Sequence, residues 1–103
     1  MNNPEDLKLV TLATNTLTRS GAAQAAALRD NTGRTYVAIN VASAELTLDA
    51  CEAVLTVALA SGITGIESVV FTGAQSARIQ VIKAFDATAT VFYHSAAGQT
   101  EAL

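Results

Sequence analysis

Three side chains with chemical capacity stand together in the stretch Leu46 to Gly62, LTLDACEAVLTVALASG: Asp49, Cys51 and Glu52. Two carboxylates three apart on a helix share a face, so Asp49 and Glu52 form a candidate acid–base pair. A thiol near a helix N-terminus has a lowered pKa, which makes Cys51 a candidate nucleophile. Each has a plainer reading. No histidine lies near Cys51 in sequence, and its neighbours are Ala, Val and Leu, the setting of a buried, inert thiol. Acids in the first turn of a helix are also simply favourable charge on the macrodipole. Zinc needs three or four convergent ligands. The chain holds one Cys and one His, Cys51 and His94. Asp49 and Cys51 are two apart on a helix, so they point about 200° apart and cannot share an ion. His94, alone at a strand end, reads as exposed or capping. The glycines stand singly at turns, so no phosphate-binding loop is present. The expectation is no metal and no cofactor.

The elements that position these residues follow from pattern. Leu46 to Gly62 reads as one helix, apolar on nearly every side and bounded by Thr47 and Gly62; Asp49, Glu52 and Thr56 make one narrow polar stripe. Such a helix lies in the middle of something. Pro4 to Ser20 reads as an amphipathic helix with Asn3 as N-cap, Pro4 at the first position and Gly21 as the stop. Its apolar face is Leu7, Val10, Leu12, Ala13 and Leu17. Residues 23–29 and 34–41 flank Asp30-Asn31-Thr32-Gly33, a strong turn signal, and make a hairpin. Ser43 to Glu45 is a short loop. Ile66 to Thr72 is a buried strand between Gly65 and Gly73. Ala74 to Phe85 reads as a helix, with Ala77, Val81, Ile82 and Phe85 on one face. Thr88 to Tyr93 is a β-branched and aromatic strand. Residues 94–103, HSAAGQTEAL, are small and polar and are expected to form a loose tail. A hairpin followed by βαβ crossovers predicts an α/β fold, a mixed sheet with helices packed on its faces.

Composition narrows the function classes. At 103 residues the chain is one domain. Half of the residues are hydrophobic and only 15% are charged, against about a quarter in ordinary domains. That deficit suggests a surface partly covered by another subunit, unless Ala merely inflates the apolar count. The net charge is −3 and the six basic residues are scattered. This argues against a nucleic-acid partner and against a polybasic membrane patch. No apolar run reaches bilayer length. The acidic, polar start MNNPEDLK is not a signal peptide, and a cytoplasmic location is expected. One cysteine forms no internal disulfide.

Taken together, the segments AAALRDNTGRTYVAINV, LTLDACEAVLTVALASG, RIQVIKAF and TVFYHS resemble, in order, the first hairpin, zinc-site helix, following helix and next strand of the cytidine deaminase superfamily. The similarity runs over roughly residues 7 to 94, as one domain. It implies a three-layer α/β/α sandwich, with a mixed sheet of about four to five strands and helices on both faces. In that family a zinc held by His or Cys plus two Cys activates water, and a Glu two residues after the first ligand shuttles protons. Laid on the family's motifs, the first ligand falls on Asp49 and the proton-shuttle Glu on Cys51. The two Cys ligands fall on Gln75 and Arg78, and the preceding Pro falls on Ala74. All three ligand positions and the shuttle differ, and Arg78 puts a fixed positive charge where the cation would sit. Asn40 keeps a nucleoside-contact position, but the Glu that accompanies it in the family is Ala42.

The resemblance therefore implies a catalytically inactive cytidine deaminase-like protein. It would act as a homo-oligomeric structural or partner-binding scaffold, a dimer or tetramer built through its helices. A metal-free nucleoside-binding regulator using Asn40 is the alternative. A hydrolase with a diverged site on Asp49, Cys51 and Glu52 is a third reading. If Asp49 and Arg78 occupy former ligand positions, a salt bridge between them is expected to replace the metal as the clasp between helices.

Overall fold

The computed structural model describes residues 3–103; Met1 and Asn2, part of the polar N-terminal stretch, lie outside the described residues. The first helix, α1 (Pro4–Ser20), begins where its sequence says. Asn3 Oδ1 accepts from Glu5 N at 2.8 Å, Pro4 supplies the fixed φ, and Glu5 and Asp6 complement the helix dipole. It ends at Gly21, whose φ of 67° is the left-handed conformation that glycine adopts without strain. The buried stripe is Asp6, Leu9, Ala13 and Thr16. Of the expected apolar face, Ala13 lies on it, Val10 and Leu12 pack half-buried beside it, Leu17 is half-buried, and only Leu7, 49% exposed, turns outward. An acid and a threonine share that stripe with Leu9 and Ala13. Asp6 is buried because Arg29 of the sheet reaches it at 2.8 Å, while Arg29 Nε holds Glu67 at 2.9 Å.

Five strands form one mixed sheet: β1 (Gln24–Asp30), β2 (Thr35–Ile39), β5 (Ile66–Gly73), β6 (Thr90–His94) and β7 (Thr100–Ala102), in the order β2-β1-β5-β6-β7. Only β5 and β6 run parallel; the other neighbours are antiparallel. The β1–β2 turn is closed by Asp30. Its Oδ1 accepts from Thr32 N, Thr32 Oγ1 and Arg34 N at 2.9, 2.7 and 2.9 Å. Strand alternation sends Ala27 and Val70 toward α1, and Ala26, Leu28, Val69 and Phe71 toward α2 (Ala50–Ala60). Helices thus cover both faces, and the three-layer expectation holds. The run Ala25 to Leu28 is wholly buried, and its short side chains let helices approach the middle of the sheet from either side. Among the described residues no helix is long and apolar enough to cross a membrane.

Three expectations about element limits are corrected. The central helix starts at Ala50, because Thr47 and Leu48 form a strand, β4, paired with β3 (Val41–Ala42). The loop between them is pinned by Ser43 Oγ, which donates to Leu46 O and accepts from Leu46 N, both at 3.0 Å. The next helix, α3, spans only Gln80–Phe85. The residues before it have their backbone groups drawn to side chains elsewhere: Ala74 O and Ser76 O accept from Gln24, and Arg78 N donates to Asp49. The tail is not loose throughout, since Thr100–Ala102 adds to the sheet edge beside β6 and Leu103 N donates to Val91 O at 2.8 Å.

Candidate functional site

The chemically capable residues meet at the N-terminus of α2, where three segments converge: the start of β1, the cap of α2, and the irregular stretch between β5 and α3. Gln24, 2% exposed, joins all three. Its Oε1 accepts from Ala50 N at 2.7 Å, and its Nε2 donates to Ala74 O at 2.6 Å and Ser76 O at 3.1 Å. That amide satisfies one orphan N–H of the helix start and two loop carbonyls. Sequence reasoning misses Gln24; the available signal is a lone amide in the alanine run AAQAAAL.

The strand-to-loop junction beneath Gln24 is forced by backbone proximity. Ala74 N donates to Ala23 O at 2.9 Å, and a Cβ on Gly73 would lie 2.3 Å from that same carbonyl. With φ at 93°, Gly73 is the one residue type that fits there.

Asp49 is the N-cap of α2 and forms a reciprocal capping box with Glu52. Asp49 Oδ1 accepts from Glu52 N at 2.8 Å, and Asp49 N donates to Glu52 Oε1 at 2.9 Å. The expected salt bridge between Asp49 and Arg78 takes a different form. Asp49 Oδ2 accepts from the backbone nitrogen of Arg78 at 2.7 Å, and the Arg78 guanidinium donates instead to Glu52 Oε2 at 3.0 Å. The Arg78 side chain is two-thirds exposed, so its pair is weak. The backbone contact is the shorter part of the clasp.

Cys51 is fully buried in the core against the sheet. Burial pushes its thiol pKa far up, and the negative charges of Asp49 and Glu52 push it further. The helix N-terminus does not make it a thiolate, so a nucleophilic role has no support in its surroundings. Asn40 Oδ1 accepts from Gln24 N at 3.0 Å, which ties its amide oxygen to the start of β1. Asn40, Gln24 and Asp49 line one cavity of about 230 Å³. Gln75 does not join them; it lines a separate cavity with Tyr93 and Ser95. His94 lies at the end of β6 with Nδ1 2.7 Å from Thr100 Oγ1, away from α2.

These donors do not fit zinc. Both Asp49 oxygens are engaged by N–H groups, Cys51 faces the core as a protonated thiol, Gln75 lies in the other cavity, and Arg78 is cationic. Among the described residues no group of three or more His, Cys, Asp or Glu side chains could hold a metal ion. The hydrogen bonds at this site pin the start of α2 to β1 and to the stretch before α3.

A family model described as cytidine deaminase-like matches residues 2–98. No curated protein sequence matches the chain. Among solved structures, a crystal structure of cytidine deaminase from Burkholderia pseudomallei superposes with a TM-score of 0.79, covering 93% of this chain and 89% of that one, at 22% sequence identity. At that identity the likeness is one of fold.

Proposed function

The chain belongs to the cytidine deaminase-like family, and we propose that it uses the family fold without zinc chemistry, as a homo-oligomeric structural or partner-binding protein in the cytoplasm. On this reading Asp49, Gln75 and Arg78 stand at the former ligand positions and Cys51 at the former proton shuttle. The observation that carries it is the Asp49–Arg78 contact. Both Asp49 carboxylate oxygens accept from backbone N–H groups, the second from Arg78 at 2.7 Å, and the Arg78 guanidinium donates to Glu52. Hydrogen bonds do here the joining of helix to loop that a metal does in the active family. The scarcity of charge, with Val57 and Leu59 about 45% exposed on α2, supports association through helices.

The test is metal content of the purified protein, measured with its mass in solution and its activity on cytidine. No stoichiometric metal, no deamination and a mass of two or four chains support the proposal. Stoichiometric zinc with turnover overturns it. A metal-free monomer removes the oligomeric part and keeps the rest.

The nucleoside-binding reading has one observation in its favour. Asn40 still lines a cavity with Gln24 and Asp49. That cavity, about 230 Å³, falls below the roughly 300–1,000 Å³ of ordinary small-molecule sites. Saturable binding of cytidine without turnover would favour this reading over the scaffold.

A further inference from the structure

A second cavity, of about 570 Å³, shares no lining residue with the one at the start of α2 and does not depend on the metal-free reading. It is lined by Gln75, Tyr93, Ser95, Gln99, Thr100 and Glu101. All six lie at one end of the sheet. Gln75 follows the carboxyl end of β5, Tyr93 and Ser95 stand at the carboxyl end of the parallel strand β6, and Gln99 to Glu101 open the antiparallel strand β7. The crevice outside the carboxyl ends of parallel strands is where open α/β sheets bind ligands. The volume lies within the range of about 300–1,000 Å³ of small-molecule sites.

The chemistry of the lining is one-sided. It contains no Lys, Arg or His. Glu101 is exposed and makes no ion pair among the described residues. Gln75 and Gln99 are exposed, and their amide side chains have no hydrogen-bond partner among the described residues, so their carbonyl oxygens are available as acceptors. Tyr93 is half-buried and held in place: its ring centroid is 5.1 Å from that of Phe71, and its hydroxyl donates to Gly73 O at 2.7 Å. Register pairing sets Glu101 directly across from Tyr93. A fixed aromatic ring beside a free carboxylate and two amide oxygens attracts positive charge carried on N–H groups. An anion would meet a carboxylate and no compensating cation.

We propose that this cavity is a binding site for a small organic cation with a planar amidinium or guanidinium group, held by Glu101 and resting against Tyr93. The probe is benzamidinium, titrated into the full chain and followed by backbone amide resonances, with neutral benzamide as its isostere. The expected result is saturable shifts confined to Gln75 and residues 93–101. Binding should weaken by about tenfold or more for benzamide and for Glu101→Gln, the loss that follows removal of a charge-assisted hydrogen bond. Glu45→Gln removes the same charge from an exposed loop elsewhere and should leave the affinity unchanged. Shifts that do not saturate or that spread over the molecule overturn the proposal. So does equal binding of benzamide, or an equal effect of the two glutamine variants.

Discussion

Asp49 holds the backbone nitrogen of Arg78 at 2.7 Å with one carboxylate oxygen while the other caps its own helix at Glu52 N, 2.8 Å away. One side chain thus ends a loop and starts a helix. Asp49→Ala removes the N-cap and orphans the Arg78 N–H, and should cost about 2 kcal/mol. Urea unfolding of the variant checks the size. Asp49→Asn keeps a capping oxygen and should recover part of the loss. Equal stability of the alanine variant and the parent would deny the clasp its structural role.

Gln24 is the buried half of the same junction. Gln24→Leu keeps the volume and deletes three hydrogen bonds, leaving Ala50 N and the carbonyls of Ala74 and Ser76 to find other partners. The expected cost is about 3 kcal/mol, because buried groups left without partners lose their full desolvation energy. Amide exchange gives the sharper readout: protection of Ala50 should fall further than that of mid-helix residues such as Val54.

Gly73→Ala tests the backbone approach beneath that junction. A methyl group there would overlap Ala23 O, and φ at 93° is strained for alanine. A loss of about 2 kcal/mol or more is expected in the same unfolding assay.

Most of the fold is legible from the sequence because local signals agree with it. Asn3-Pro4 and Gly21 bracket α1, Asp30 to Gly33 turn the hairpin, and the colinear segments identify the family. The boundaries that differ are those set by distant partners. Nothing local at Ala74 to Ile79 announces that Gln24 and Asp49 will take its backbone groups and keep it out of a helix. Nothing in QTEAL marks an edge strand, since its pairing is supplied by β6. At the site, Asp49, Glu52 and Arg78 are found by pattern, but the exchange of partners between them depends on where the loop backbone passes. The burial of Asp6 likewise depends on Arg29, 23 residues away.

Acid should unfold the protein partly through Asp30 and Asp86. Burial raises the pKa of Asp30, but hydrogen bonds from Thr32 and Arg34 outweigh it and hold the carboxyl below its ordinary value. Asp86 is held low by Thr88 and by the backbone N–H groups of Ile66 and Thr88. A depressed folded pKa contributes stability that is present above the unfolded carboxylate pKa, about 3.9 for Asp, and is lost as pH falls through the lower folded value. The melting temperature should therefore be flat near neutrality and fall below about pH 4. Asp30→Asn should lower stability at pH 6 and flatten the acid limb; an unchanged pH profile would show that these turns do not carry it.

The thiol of Cys51 separates a scaffold from a diverged hydrolase. A nucleophile must be reachable and ionised near neutral pH, and Cys51 is neither: it is fully buried, and burial together with Asp49 and Glu52 pushes its pKa upward. Labelling by a small alkylating reagent at pH 7.5 should be slow in the native protein and should track global unfolding when denaturant is added. Cys51→Ala should leave any ligand binding intact and cost about 1 kcal/mol, the transfer and packing loss of one buried sulfur. Rapid labelling at neutral pH under native conditions would put the thiol at the surface of a working site, and the hydrolase reading would then displace the scaffold.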